Sequence, residues 1–196
     1  MNISKGSLRV TGVRGYKVAM VLLVLMAVVA LTTSAYAQND AAEHASAVLK
    51  DASGQVVGFA RFTEDATGIV HVNVHVKGLS PGLHGIHIHA IGSCVPPLFT
   101  SAGGHYNPLG KQHGLDNPFG SHAGDLPNLT VNEAGVGRLD TTTDRVTVSA
   151  GPATLFDDTP GAVGSALVIH ANTDDQITNP TGNSGGRIAC GVIESE

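Results

Sequence analysis

The sequence predicts an all-β fold, an antiparallel sandwich or barrel, on three observations. Residues 68–77 (GIVHVNVHVK) alternate strictly. Val70, Val72, Val74 and Val76 fall on one face and His71, Asn73, His75 and Lys77 on the other, the period of a half-buried strand. Short runs of this kind are separated by Gly, Asp, Ser and Pro clusters that turn the chain. No apolar stripe of helical period persists outside residues 18–31. At 196 residues the chain suits one domain, and two independent cores would be cramped. Its 11 Lys and Arg form no basic block, so nucleic acid is not an expected partner.

Taken in order, residues 1–37 stand apart. Lys5, Arg9, Arg14 and Lys17 make a basic start without an acid, residues 18–31 are mostly apolar, and Ala35-Tyr36-Ala37 follows. That is the grammar of a secretory signal. The alternative is an uncleaved anchor, because residues 18–37 carry no charge and could span a bilayer; the shortness of the strongly apolar part favours cleavage. Cleavage after residue 37 removes four cations and no acids, which moves the formal charge from −5 to −9. It also places the protein outside the cytoplasm, with no stable membrane insertion, where thiols can pair. Cys94 and Cys190 are the only cysteines, so the connectivity is fixed if a bridge forms. Such a bridge closes a loop of about a hundred residues, worth about 4–5 kcal/mol in the chain-entropy picture. The other reading is two buried free thiols.

Residues 38–46 are polar and Ala-rich and read as a flexible arm; the folded domain is expected over residues 47–196. Residues 47–50 and 55–63 flank Asp51-Ala52-Ser53-Gly54, a hairpin turn. Residues 68–77 form the next strand and residues 78–82 the next turn. Residues 83–91, 136–149 and 166–170 supply further strand material. Residues 92–128, with seven Gly and five Pro, and residues 171–186 are long and irregular. Such loops are uncommon in compact domains unless functional, and a metal and a disulfide would hold them.

Ten histidines are the outlier in the composition. On a strand His87 and His89 project from one face, so both imidazoles can reach one metal while Ile86 and Ile88 pack behind. His-x-His is also found on exposed faces, as is expected for His71 and His75. His105, His113, His122 and Asp125 make a tetrahedral zinc set of three imidazoles and a carboxylate, or else a solvated His-rich loop. His170 ends a strand and is placed to complete a copper-like imidazole array. Asn128-Leu129-Thr130 has the form of a glycosylation acceptor, a weak signal. His44 reads as solvated, and Phe62 and Phe119 as packing residues.

Five blocks then occur in one order. They are Gly82-Leu83-His84-Gly85-Ile86-His87-Ile88-His89, Ser101-Ala102-Gly103-Gly104-His105-Tyr106-Asn107-Pro108 and His122-Ala123-Gly124-Asp125-Leu126. Leu167-Val168-Ile169-His170 and Gly185-Gly186-Arg187-Ile188-Ala189-Cys190-Gly191-Val192-Ile193 complete them. On these blocks the chain resembles the copper/zinc superoxide dismutases of the exported bacterial kind, from about residue 47 to residue 193. The resemblance implies a Greek-key β-sandwich or flattened barrel with two long functional loops. It implies disproportionation of superoxide to dioxygen and hydrogen peroxide, as antioxidant defence in the periplasm, the cell envelope or the secreted fraction. One copper per chain is expected on His87, His89, His105 and His170, and one zinc on His105, His113, His122 and Asp125. His105 would then bridge the two. Asp174 matches the carboxylate that links a copper His to a zinc His, and His84 a buried structural His. Cys94–Cys190 matches the family disulfide, and Arg187 the arginine beside copper. Superoxide is the implied small-molecule partner, and a homodimer is compatible with the family.

Two departures stand out. Residues 171–186, the family's charged guiding loop, hold Asp174 and Asp175 and no Lys or Arg, with Lys111 as a substitute cation. Residues 95–100 (VPPLFT) are longer than in eukaryotic members, and the chain stops soon after residue 193. Both touch surfaces that pair subunits, so no pairing mode carries over.

Overall fold

The computed structural model describes Met1 and residues 43–156 and 164–196. Residues 2–42, which hold nearly all of the signal read from the sequence and the first part of the arm, lie outside the described residues, as do residues 157–163. Residues 43–46 are not an arm: they open β1 (Glu43–Asp51), where Ala45 and Ala47 point into the core and His44 meets Thr63 across the ladder.

Then follow β2 (Val56–Glu64), β3 (Val70–Lys77), β4 (Gly82–His84) and β5 (Ile86–His89). After a single 3-10 turn at Thr100–Ala102 come β6 (Leu129–Val131), β7 (Val136–Thr143), β8 (Ala166–His170), β9 (Arg187–Val192) and β10 (Glu194–Ser195). All paired strands run antiparallel, in the order β4-β6-β7-β3-β2-β1-β9-β8-β5, with β10 beside β1. β4 and β5 stand at opposite ends of this path yet are joined by Gly85 alone, so the sheet nearly closes on itself. β3 lies beside β7 rather than β4, which is the Greek-key crossing.

One turn device recurs. Asp51 Oδ1 accepts from the backbone N–H of Ser53 and of Gln55, at 2.8 and 3.0 Å, with Gly54 at φ 85°. Asp65 Oδ1 accepts from the N–H of Thr67 and of Ile69, with Gly68 at φ 82°. Asn132 Oδ1 accepts from the N–H of Ala134 and of Val136, with Gly135 at φ 73°. Each is an Asx turn followed by the left-handed residue glycine supplies.

β3 buries Val70, Val72, Val74 and Val76 and turns His71, Asn73, His75 and Lys77 outward, as its alternation predicts. Three expectations are corrected. The run over residues 83–91 is two strands, because Gly85 leaves the ladder: its N–H donates to Asn172 O and its carbonyl accepts from His170 N–H. The run over residues 136–149 ends at Thr143, where its partner β3 runs out at Val70; beyond it the buried Glu64 carboxylate accepts from Val148 and Ser149 N–H at 2.7 Å. Phe119 is 70% exposed and packs into no core, whereas Phe62 is fully buried.

The main core fills the barrel with Leu49, Phe62, Ile86, Ile88, Leu167 and Ile169 among others. A second cluster lies on the outer face of β8, where Phe99 and Ala102 cover Ala166, Val168 and Cys190. The Cys94–Cys190 disulfide pins that covering segment to β9. β5 and β8 are thus buried on both faces, which is what places polar side chains in a dry interior.

Candidate metal centre

β5 is the keel of the site. One edge pairs with β8; the other is capped by loop backbone. Tyr106 N–H donates to Ile88 O at 2.8 Å and Ile88 N–H to Gly124 O at 2.9 Å. Bridges His89↔His105 and His87↔Asp125 follow, so residues far apart in sequence are brought level with the two strand histidines. Gly124 allows this approach, because a Cβ there would lie 2.2 Å from Ile88 O.

The ligating atoms of His87, His89, His105 and His170 all lie within 4.8 Å of one another, and all four residues are buried. Three of these rings are tied behind by acceptors. His87 Nε2–H donates to Asp174 Oδ2 at 2.7 Å, His89 Nδ1–H to Gly103 O at 3.0 Å, and His170 Nδ1–H to Gly185 O at 3.1 Å. Those acceptors place the ring proton, so each second nitrogen presents a lone pair to the shared space. His87 Nδ1 and His105 Nε2 are buried without a partner, and His89 Nε2 is 3.4 Å from His170 Nε2. Burial pushes His87 down to about 3, His89 to about 2 and His170 to about 4, and lowers His105, so the set is neutral and ready to ligate.

The second set converges on Asp125 Oδ1. Nδ1 of His105 and of His113 lie 3.0 Å from it and Nδ1 of His122 lies 3.2 Å away; His122 Nδ1 is 3.4 Å from His105 Nδ1. The edge of a tetrahedron around an ion with bonds of ~2.0–2.1 Å is about 3.3 Å, so these atoms are spaced for one such cation. His87 also lies within 4.8 Å of His105, His113 and Asp125, but its Nε2 is committed to Asp174, and His122 is the ring aimed at Asp125. His87 and His105 both lie in reach of the two sets; His105 has Nδ1 at Asp125 Oδ1 in the second set and its buried Nε2 unpartnered.

Charge points the same way. Asp125 and Asp174 are buried, and among the described residues no Lys or Arg reaches either carboxylate; Arg145 donates to the Asp125 carbonyl instead. Burial alone would raise both acids, yet hydrogen bonds from imidazoles and amides hold them well below the usual carboxylate range. His113 lies between them. Burial works against its charge, but the two carboxylates push it up to about 9. Two buried anions drawing a proton onto the intervening ring mark a place built for positive charge.

Asp174 links the sets, accepting from His87 Nε2 with Oδ2 and from His113 Nε2 with Oδ1, the latter at 3.0 Å. Its main chain is clamped by Asn128, whose Oδ1 accepts from Asp174 N–H and whose Nδ2 donates to Asp174 O, both at 2.8 Å. Asn128 is therefore a loop clasp, and its glycosylation-like triplet has this structural use. Gly182 covers the Asp174–His113 bond. A Cβ there would lie 1.7 Å from Asp174 Oδ1 and 2.6 Å from His113 Nε2. Gly182→Ala is expected to weaken divalent-metal retention about tenfold or more, measured by competition with a chromophoric chelator; unchanged retention would show that the bond tolerates displacement.

Arg187 faces His170 across the β8–β9 ladder. Its Nη1 and Nη2 donate to Phe99 O and Gly103 O at 2.5 Å, and Gly103 O also accepts from His89. The guanidinium is thereby fixed beside the first set. His84 is buried, with Nδ1 2.8 Å from His170 O and Nε2 2.9 Å from Ser80 O, bracing the end of β8. His44, His71 and His75 lie outside both sets: His71 pairs with Asp65 and His75 stacks on Phe59. Lys111 is exposed. Sequence reasoning missed Asn128, Gly114, Gly182 and Gln176, whose roles depend on contacts between the two long loops; the only signal was the glycine content of those loops.

The family model for copper/zinc superoxide dismutase matches residues 56–193. Superoxide dismutase (Cu-Zn) 2 of Aquifex aeolicus is 42% identical over 165 residues, covering 83% of this chain and 92% of that protein. The superoxide dismutase (Cu-Zn) of Deinococcus radiodurans is 42% identical over 159 residues, covering 75% and 82%. The crystal structure of a SOD-like protein from Bacillus subtilis superposes with a TM-score of 0.70 at 40% identity, covering 75% of this chain and 96% of that one. With its barrel, its paired donor sets and this match over most of its length, the chain belongs to the copper/zinc superoxide dismutase family.

Proposed function

We propose that the protein is a superoxide dismutase acting outside the cytoplasm after loss of residues 1–37. The observation that carries this reading is His105. Its Nδ1 lies at Asp125 Oδ1 in the second donor set, and its Nε2 is buried and unpartnered. His87, His89, His105 and His170 would hold copper; His105, His113, His122 and Asp125 would hold zinc. When bound, copper supplies the one-electron couple by which two superoxide ions and two protons become dioxygen and hydrogen peroxide, while zinc supplies redox-silent charge.

The chain's own residues do the rest. Arg187 offers a fixed cation and N–H donors to an arriving anion. With no Lys or Arg over residues 171–186, that local charge and the site itself attract the substrate. His105 Nε2 is where a proton can be held and then handed to reduced dioxygen, one of the two that peroxide requires. Asp174 accepts from the outer nitrogens, Nε2, of His87 and His113, which orients both rings with Nδ1 toward the donor sets.

Purified protein is expected to carry about one copper and one zinc per chain and to consume superoxide in an assay abolished by chelation. Both metals without consumption would make it a copper-holding protein; zinc alone under copper-replete conditions would make it structural. Arg187→Ala is expected to slow consumption about tenfold or more with metal content unchanged. A rate that holds would remove Arg187 from substrate capture.

A further inference from the structure

We propose that Gln176 is a positioning residue, which sets the Asp174 carboxylate and the second donor set by stapling the two long loops together. The proposal rests on the reading of that set as a metal site. Every polar group of Gln176 is engaged. Its N–H donates to Asp174 Oδ1 at 2.7 Å and its carbonyl accepts from Asp116 N–H at 3.0 Å. Its side-chain Oε1 accepts from Leu115 N–H at 3.4 Å, and its Nε2 donates to Leu126 O at 3.2 Å. The amide therefore spans from the residue after Gly114 to the residue after Asp125.

The contact with Gly114 is close. A Cβ at Gly114 would lie 2.1 Å from Gln176 O, and Gly114 N–H donates to Asp125 Oδ2 at 2.9 Å. Gln176 thus touches Asp174 directly and reaches Asp125 through the segment it holds. Its backbone is at φ 61°, a left-handed conformation that favours glycine. An outlier at such a place is held by its surroundings, and here the holding bonds lead to both buried carboxylates. Glycine would suit the backbone better and forfeit both side-chain bonds.

The test uses the full chain, stripped of metal and then titrated with Co²⁺ or Zn²⁺ alone. Gln176→Gly is expected to lower affinity for both ions about tenfold and to alter the visible bands that report the Co²⁺ ligand field. Thermal unfolding of the metal-free chain should not fall, because glycine relaxes the φ angle. Gln176→Glu keeps the acceptor for Leu115 and loses the donor to Leu126, so a smaller loss is expected. It also serves as the readout if the glycine variant does not fold. Wild-type bands and affinity in the folded variants would overturn the proposal, including where only the metal-free stability drops. A wild-type chain that takes up neither ion would overturn the metal-site reading itself, and the proposal with it.

Discussion

His105→Ala is expected to lower superoxide consumption by at least about a hundredfold and to end communication between the two donor sets. The ring supplies one nitrogen to each, and both sets are otherwise held by different elements: β5 and β8 for one, the 105–125 loop for the other. Its loss leaves three imidazoles on one side and two imidazoles with a carboxylate on the other. It also removes His105 Nε2, a buried ring nitrogen without a hydrogen-bond partner that faces the first set. With Cu²⁺ in the first set and Co²⁺ in the second, the wild-type chain should show magnetic coupling through the shared ring, and the variant should show two isolated spins. Full activity in the variant would refute the bridge.

Asp174→Asn is the second large effect. The carboxylate accepts two ring N–H groups at once, one with each oxygen. An amide of the same shape has one acceptor oxygen and one N–H₂, so it satisfies one ring and confronts the other with a donor. That ring is buried, and the simplest relief is to swap tautomer, which turns its proton toward the metal position. Metal affinity is expected to fall ~10–100-fold, chiefly on whichever side receives the N–H₂, seen as unequal loss of the two metals on dialysis against chelator. Equal retention of both would mean that packing, not Asp174, orients the rings. No charged group replaces the lost anion, so the shift of His113 to about 9 in the metal-free chain should fall as well.

Much of this centre was legible before any coordinates, and the reason is periodicity. His87 and His89 share a face because strands alternate, and the valines of β3 announce their core by the same rule. The loops had no period to read. That residues 105 and 125 come level with β5 depends on backbone bridges and on Gly124, which only the fold reveals. The run over residues 83–91 looked continuous because Gly85 is one residue in an otherwise apolar and histidine-bearing stretch. β6, with three residues, and β10, with two, are too short to carry alternation. Asn128 and Gln176 carry no local signature of these roles, since each acts on main chain distant in sequence.

The backbone cover over β5 has a consequence for association. The strand at one end of the sheet order, β5, offers no free row of amides on which a second molecule could template its own strand. The outer side of β5 is already occupied by the backbone around His105 and Asp125. The loops that gather the donors therefore also act as a guard rail along that strand edge.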